Sequence, residues 1–450
     1  MASVRAAVVL VLMRLLALLD QATGTIRTFG STPDQMMTIQ GGPAVCAGRS
    51  TTFLNHTLSR SPSFGVVNQF WTVQAPDVTL AEDGVRLEFS YYFDGEVKPS
   101  VVFEPALASG QGWAAARLGG RWVDSQRFAG DNGVFAAGGK MGKSATEGGW
   151  WHKFKMPFER SVLVTATLVP RGGDTGRNIT GVCHGTLAIV RGFEDTSPSA
   201  ALTLPSGVTL PRSARMVLHS LDSAVGAYEF APLAVVPAGV EGLLFQTAIA
   251  LEVSPPWSVM DNGRFRTTNE YIEGCWHLQR TATEALPAQP VGTGFEDFFD
   301  SGYGFSIIGP DPKNASDPKY GDTPGSSVIQ RVCNGTVNPV TQPAGVCEKQ
   351  GTWFNHATSG LLHFSSDSSA DAIVSSAAMN RSALGVERIS AYRFMDEEAL
   401  AFEDGGALRW RNSDNNPKCH AITDQPRGVS YTTLVRSYTW VYEWPKEACD

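Results

Sequence analysis

Short runs in which apolar and polar side chains alternate recur along most of the chain. A period of two, with many β-branched and aromatic residues, is typical of strands that bury one face. Many short strands separated by turns predict an all-β protein built from two jelly-roll β-sandwich domains. Helix is expected only near 113–117 and 376–383. The expected strands are Asn68–Val73, Val85–Phe93, Ser100–Glu104, Val162–Val169, Gly185–Arg191, Met216–Ser220, Leu243–Val253, Tyr271–Arg280, Ile389–Phe394, Leu400–Asp404 and Thr432–Trp444.

A shift in composition divides the chain. Residues 196–211 are rich in Ser, Pro and Thr, which is typical of a linker. We therefore expect an N-terminal jelly roll over 27–195 and a C-terminal one over 212–450. The Gly-, Asn- and Pro-rich stretch Gly309–Ser359 is expected to be a surface excursion of the second domain.

The first residues predict secretion. Arg5 is followed by the apolar run Ala6–Leu19, interrupted only by Arg14, and Ala22-Thr23-Gly24 offers a cleavage site, so 1–24 is expected to be a signal peptide. The alternative, a membrane anchor, needs a longer apolar run. Asn-x-Ser/Thr sequons support export and lie at Asn55, Asn178, Asn314, Asn334 and Asn380.

The cysteine and histidine positions and the net charge indicate which disulfides, cofactors and partners to expect. The chain has seven cysteines, an odd number; we expect a Cys333–Cys347 disulfide first, and Cys46–Cys183 and Cys419–Cys449 as weaker guesses. Neither a CxxC pair nor an HxxxH pair is present, so no metal or other cofactor is expected. A net charge of −8 disfavours nucleic acid, and no later apolar run is long enough to span a membrane.

Two passages carry candidate catalytic acids. Gly292-Thr-Gly-Phe-Glu-Asp-Phe-Phe299 places Glu296 and Asp297 among aromatic residues, which favour sugar binding and raise the pKa of a nearby carboxyl group. In Asn269–His277, Glu273, Cys275 and His277 would share one face of a strand. The alternatives are a glycine-rich turn and a solvated strand face.

Further residues are candidates for sugar binding. Asp94 stands in an Asp-Gly pair that is first of all a hairpin turn. Asn68, Trp71 and Trp151 could line a sugar site or could be core. The sequence contains no Gly-x-Ser-x-Gly elbow, P-loop or HExxH motif.

Taken in order, these passages resemble glycoside hydrolase family 172, first known as domain of unknown function 2961. The resemblance rests on the Gly292–Phe299 block and on Ile272-Glu273-Gly274. Four further short motifs in the family's order support it: Asn68-Gln-Phe-Trp71, Phe93–Val101, Met156-Pro-Phe158 and Tyr392-Arg393.

The resemblance implies two jelly rolls, retaining hydrolysis of D-fructofuranosides or D-arabinofuranosides, and a homotrimer or a multiple of one. It also implies that Glu273 is the nucleophile and Glu296 the acid/base. Glu270 is the rival nucleophile, because it lies three residues from Glu273 and would face the opposite side of a regular strand. The chain departs from the family pattern at Phe295 and Cys275, which leaves the identity of the substrate open.

Two other functions compete with this interpretation. A secreted β-sandwich rich in aromatic residues could bind carbohydrate without turnover, as lectins do, because a fold does not fix a function. Another hydrolase built from two jelly rolls, such as a glycan-releasing amidase, would leave a deamidated asparagine as its product.

Overall fold

A computed structural model describes most of both predicted domains. The described residues are 25–32, 44–59, 63–113, 115–118, 121–124, 135–145, 148–171, 177–197, 199–253, 258–261, 264–267, 274–286, 288–299, 330–331, 349–350, 354–355, 358–366, 387–412 and 432–447.

Most strands of the first half form two antiparallel sheets that face each other, and the others form separate two-stranded pairs. They are β1 Ile26–Gly30, β2 Val45–Cys46, β3 Thr51–Thr57, β4 Phe64–Val73, β5 Val85–Phe93, β6 Val101–Phe103, β7 Ala115–Leu118, β8 Arg121–Asp124, β9 Phe135–Ala137, β10 Met141–Ala145, β11 Gly148–His152, β12 Met156–Phe158, β13 Ser161–Pro170, β14 Cys183–His184 and β15 Leu187–Asp195. One sheet has the order β1-β15-β4-β11-β10-β9 and the other β3-β13-β5-β6. Lettered B to I along the chain, the eight principal strands are arranged as B-I-D-G and C-H-E-F, which is a jelly roll.

The second half repeats this arrangement. Its strands are β16 Arg215–Val225, β17 Phe230–Val236, β18 Val240–Val253, β19 Ser258–Asp261, β20 Arg264–Thr267, β21 Trp276–Gln279, β22 Gln289–Gly292, β23 Gln330–Arg331, β24 Lys349–Gln350, β25 Phe354–Asn355, β26 Ser359–Ser366, β27 Glu387–Phe394, β28 Ala401–Phe402, β29 Gly406–Arg411 and β30 Thr433–Pro445. The sheet orders are β16-β30-β18-β27-β26-β25 and β17-β29-β21-β22, again B-I-D-G and C-H-E-F. The prediction of two jelly rolls is confirmed.

Short helices are the exception among the described residues. They are α1 Asp77–Glu82, α2 Pro105–Ala108 and α3 Phe295–Phe298. Helix α2 follows β6, and α3 follows β22, the corresponding strand of the second roll. The helix expected near 113–117 is wrong, because Ala115–Leu118 pairs with Arg121–Asp124 as a hairpin. Among the described residues, no helix is long and apolar enough to cross a membrane.

Apolar residues of the two rolls join in one continuous core. The core of the first roll includes Phe70, Phe89 and Phe103 and extends to Phe245 and Trp440 of the second. The second roll also has its own core between its sheets, with Ile249, Leu251 and Trp276 among its members. Because β18 contributes to both cores, its sheet is covered on each face. Such burial favours a fixed arrangement of the two rolls over free motion.

The segment 196–211, expected as a linker, is packed into the protein. Ala200, Leu202, Leu204 and Leu210 are buried in the shared core, and Thr203 forms a β-bridge with Thr209. The segment therefore contributes to the contact between the rolls as well as connecting them.

Cysteine pairing is partly as expected. Cys46 and Cys183 form a disulfide that joins β2 to β14. Cys275 is also disulfide-bonded. The two other expected pairs, Cys333–Cys347 and Cys419–Cys449, lie outside the described residues.

Candidate functional site

The Gly292–Phe299 block forms a tight loop and one helical turn at the end of β22. The carboxylate of Asp297 accepts hydrogen bonds from the backbone N–H of Thr293, at 2.7 Å, and of Gly294, at 2.8 Å. It also accepts one from the Thr293 hydroxyl, at 2.9 Å. A carboxylate that satisfies the free N–H groups at the start of a helix stabilises that turn. Asp297 therefore shapes the loop that carries Glu296.

The aromatic residues of this block pack in the core of the second roll and hold the turn in place. Phe295, Phe298 and Phe299 are each 0% exposed. The Phe298 ring stacks on that of Trp276, with centroids 3.6 Å apart and planes 4° apart. These phenylalanines belong to the core, so the idea that they form platforms for sugar rings is wrong. Their burial holds α3 against β21 and leaves Asp297 exposed on the outer side of the turn.

The register of β21 with β22 brings the two predicted acid motifs together. Trp276 pairs with Gly292, so Gly274, just before β21, lies at the same end of the sheet as Thr293 and Gly294. Gly274 is required there, because an added Cβ would lie 1.5 Å from the carbonyl oxygen of Arg411. Gly274, the residue after Glu273, therefore lies at the same end of the sheet as the loop that leads to Glu296.

The catalytic carboxyl groups themselves lie beyond the described atoms. Glu270 and Glu273 are outside the described residues, and Glu296 is described only through its backbone in α3. The separation of the Glu273 and Glu296 carboxyl groups stays a prediction.

Arg393, at the end of β27, holds α3 from the side. Its guanidinium donates to the carbonyl oxygens of Phe298 and, at 3.4 Å, of Asp297. It lies over the Phe298 ring, 5.2 Å from the centroid, and forms an ion pair with Glu398 at 2.8 Å. The family resemblance includes the Tyr392-Arg393 element but implies no role for this arginine. The signal in the sequence is a single charged residue in the mostly apolar strand Ile389–Phe394.

His277 occupies an interior position. It is 1% exposed, its Nδ1 lies 3.3 Å from the carbonyl oxygen of Ala288, and its ring meets that of Phe230 edge-on. The residues Trp276–Gln279 are all buried, so β21 has no solvated face. A sugar in solvent could not reach the His277 ring in this arrangement, so a substrate-binding role for His277 would need the sheet to open.

Asp94 has a structural role in a turn of the first roll. It adopts a left-handed backbone conformation, with φ 54°, and its carboxylate accepts hydrogen bonds from the backbone N–H groups of Glu159 and Ser161 at 3.0 and 3.2 Å. It also forms an ion pair with Arg215 at 2.5 Å. The turn interpretation of Asp94-Gly95 therefore accounts for this side chain, which links two hairpin ends to the second roll.

Asn68, Trp71 and Trp151 lie together, but on the first roll. Trp71 and Trp151 are direct neighbours across β4 and β11, and both are half-buried. Asn68 is the extra residue of a β-bulge, because Gln69 pairs with Arg191 and Val67 with Gly192. Within one chain these residues belong to a different sandwich from α3.

Two buried indole groups lie close to this end of the sheet. The Nε1 atoms of Trp276 and Trp410 are buried and have no hydrogen-bond partner among the residues that the structure describes. Trp410 Nε1 lies 3.1 Å from where a Cβ on Gly274 would be. Among the described residues, no cluster of His, Cys, Asp and Glu side chains is suited to hold a metal ion.

Comparison with known proteins adds little. No family model matches the chain, and no curated protein matches it. A solved structure, that of the STIV MCP, is similar over 93% of this chain and 96% of its own, with 8% sequence identity and a TM-score of 0.29. A similarity this low gives no guidance on function.

Proposed function

We propose that this protein is a secreted, retaining glycoside hydrolase that acts on furanosides, with D-fructofuranosides and D-arabinofuranosides as the substrate classes. Glu273 is the nucleophile and Glu296 the acid/base. The observation that supports the proposal is the pairing of Trp276 with Gly292, since it sets Gly274, the residue after Glu273, at the same end of the sheet as the loop that leads to Glu296.

The chemistry needs two carboxyl groups in different protonation states. Ionised Glu273 attacks the anomeric carbon while protonated Glu296 gives its proton to the departing oxygen. Water, deprotonated by Glu296, then attacks the glycosyl-enzyme and releases the sugar with its configuration retained. This mechanism requires the carboxyl groups to be about 5–5.5 Å apart.

The described surroundings suit that task. The turn of α3 is fixed at three places: by the Asp297 hydrogen bonds, by the Phe298–Trp276 stack and by the Arg393 guanidinium. Rigid support of this kind keeps a catalytic carboxyl group in place during the reaction. A disulfide at Cys275 and the sequons are compatible with export, and the resemblance adds a homotrimer to the proposal.

Anomeric NMR on a panel of D-fructofuranosides and D-arabinofuranosides tests the proposal, because it reports the donor sugar and the stereochemistry together. Glu273→Gln and Glu296→Gln should each lose at least about 10³-fold in kcat. Glu270→Gln tests whether the rival nucleophile, and not Glu273, is needed for turnover. Glu447→Gln, at an exposed glutamate, is the matched control. Turnover at the wild-type rate in both Glu273→Gln and Glu296→Gln would end the proposal.

A further inference from the structure

The sheet β3-β13-β5-β6 of the first roll carries a short row of side chains on its outer face. On β13, Val162 and Val164 are buried in the core, so Leu163 between them points to the opposite face. Leu163 lies directly across from Asn55 on β3 and from Tyr92 on β5. Asn55, Leu163 and Tyr92 therefore form a row across three strands on the outer face.

This row is partly open to solvent. Asn55 is exposed, and Leu163 and Tyr92 are half-buried. The next row on the same face consists of short hydroxyl side chains, those of Thr52, Thr165 and Ser90. Two apolar side chains beside a row of hydroxyl groups form a low surface that suits a sugar, whose ring packs on the apolar groups while its hydroxyls find polar partners.

The corresponding face of the second roll is covered. Strand β21 takes the place of β5 in the strand order of that roll. Trp276 and Leu278 belong to the core between the sheets. His277 and Gln279, which point the other way, are nevertheless only 1% and 8% exposed. The first roll lacks an equal cover over the described part of its sheet, because Tyr92 on β5 is only half-buried.

Strand β3 is also an edge strand in the described part of the chain, since it pairs with β13 alone. A free edge can pair with another chain, and proteins protect such edges with charged residues, with proline or with a cover. The strand Thr51–Thr57 contains no Lys, Arg, Asp, Glu or Pro. It does contain the sequon Asn55-His56-Thr57, whose asparagine and threonine are both exposed.

We propose that Asn55 carries an N-linked glycan, whose first two sugars lie over Leu163 and Tyr92 and cover the β3 edge. In the transfer, Nδ2 of Asn55 attacks C1 of the first N-acetylglucosamine of a lipid-linked diphosphate oligosaccharide. The N–C1 bond forms as the bond from C1 to the diphosphate oxygen breaks, Nδ2 gives one proton to the transferase, and the lipid diphosphate leaves.

The geometry of the sheet sets the reach that the glycan needs. Cross-strand neighbours lie about 5 Å apart, so Leu163 is within reach of the first sugar on Asn55. Tyr92 is one strand further, about 10 Å from Asn55, which two linked sugars span. The inference rests on the export that the proposed function includes, and it does not depend on glycosidase activity.

Site occupancy in the full chain, expressed in eukaryotic cells, tests the inference directly. Peptide N-glycosidase F in isotope-labelled water converts each glycosylated asparagine to a labelled aspartate, which mass spectrometry locates. Asn55 should be labelled in most copies. Thr57→Val should lose this label, because it removes the hydroxyl that the sequon requires and keeps a β-branched residue in the strand. An unlabelled wild-type Asn55, in secreted protein or in chains retained by the cell, would overturn the inference.

The second described sequon supplies the matched control. Asn178 and Thr180 are both exposed, in the loop before β14. Thr180→Val should lose the label at Asn178 and keep it at Asn55. Loss of the Asn55 label in Thr180→Val as well would show that the substitutions act through folding or export, and would contradict the site-specific assignment.

Hydroxyl-radical oxidation shows where the sugars lie. Tyr92 should be oxidised at least about twofold faster in Thr57→Val than in wild type, because the sugars no longer cover its ring. Tyr228, half-buried in the second roll, should react equally in both proteins. Enzymatic removal of the glycans from folded wild type repeats the comparison without a substitution. Equal oxidation of Tyr92 with and without the glycan would overturn its placement on this face.

Light scattering at raised temperature tests the protection of the β3 edge. Thr57→Val should aggregate earlier than Thr180→Val, since only the former uncovers an edge strand. Aggregation at the same temperature would contradict the covering role. The glycosidase assays fail separately: a glycosylated Asn55 without any turnover would count against the proposed function and leave this inference standing, whereas an active enzyme with a bare Asn55 would do the reverse.

Discussion

A single buried histidine should make the stability of the first roll depend on pH. His152, at the end of β11, is 2% exposed and lies between the rings of Phe70 and Phe154, with centroids 4.9 and 4.5 Å away. Within the described part of the chain, neither ring nitrogen has a hydrogen-bond partner. Burial among apolar rings disfavours the charged imidazolium and lowers the pKa of His152 to about 3.

The size and sign of the effect follow from this pKa. An unfolded histidine has a pKa of about 6.5, so the unfolded chain takes up a proton below that pH while the folded chain does not. The stabilisation is therefore complete above pH 6.5 and is lost as the pH falls towards 3. Between pH 7.5 and pH 5.0 the free energy of unfolding should decrease by about 2 kcal/mol from this residue alone.

Urea denaturation at pH 7.5 and 5.0, with the disulfides intact, measures the effect when wild type is compared with His152→Phe. The phenylalanine keeps an aromatic ring in the cluster and removes the titrating group. The difference in the free energy of unfolding between the two proteins should therefore change by about 2 kcal/mol between these pH values. Phe154→Leu disturbs the same cluster without a titrating group, and its effect should not depend on pH. A difference for His152→Phe that stays constant within about 0.5 kcal/mol would refute the reasoning.

Three further predictions concern stability. Glu104→Ala should cost about 3 kcal/mol, since it removes the nearer of two carboxylates from the buried guanidinium of Arg436 and leaves only Asp222, at 3.5 Å; a loss below about 1 kcal/mol in urea denaturation would be inconsistent with this ion pair. Gly274→Ala should lower the melting temperature strongly, because its Cβ would overlap the carbonyl group of Arg411, and an unchanged melting curve would show that the strand can shift. Replacing both cysteines of the Cys46–Cys183 disulfide by serine should cost about 2–5 kcal/mol, and equal stability of wild type and variant would argue against that bond.

The strands were predictable because each has a local signature. Val85–Phe93 was expected from its alternation and is a strand over those residues, with Leu87, Phe89 and Tyr91 buried on one face. The short helices had no such signature. Helix α3 has four residues, too few for a 3.6-residue period to appear, and its turn is held by contacts with Trp276 and Arg393 that the local sequence does not reveal.

The site was predictable only in part, for a physical reason. The closeness of the two acid motifs follows from a hairpin between β21 and β22, whose paired residues are near in sequence. Whether an aromatic or histidine residue faces a ligand or the core depends on the layers packed above and below it. The sequence around Phe298 and His277 is compatible with either arrangement, and both residues proved to be core.

The two rolls share one strand arrangement although their sequences differ. A jelly roll requires alternation, turns and a bulge, and these constrain polarity more than identity. Equivalent positions therefore differ according to what covers them. Counted from the bulges in β4 and β18, His152 corresponds to Arg393, and the apolar turn of α2 corresponds to the acidic turn of α3. Where the first roll meets the second, the turn is apolar and buried. At the matching end of the second roll Asp297 is exposed on the turn, and it is at this turn that we place the proposed chemistry.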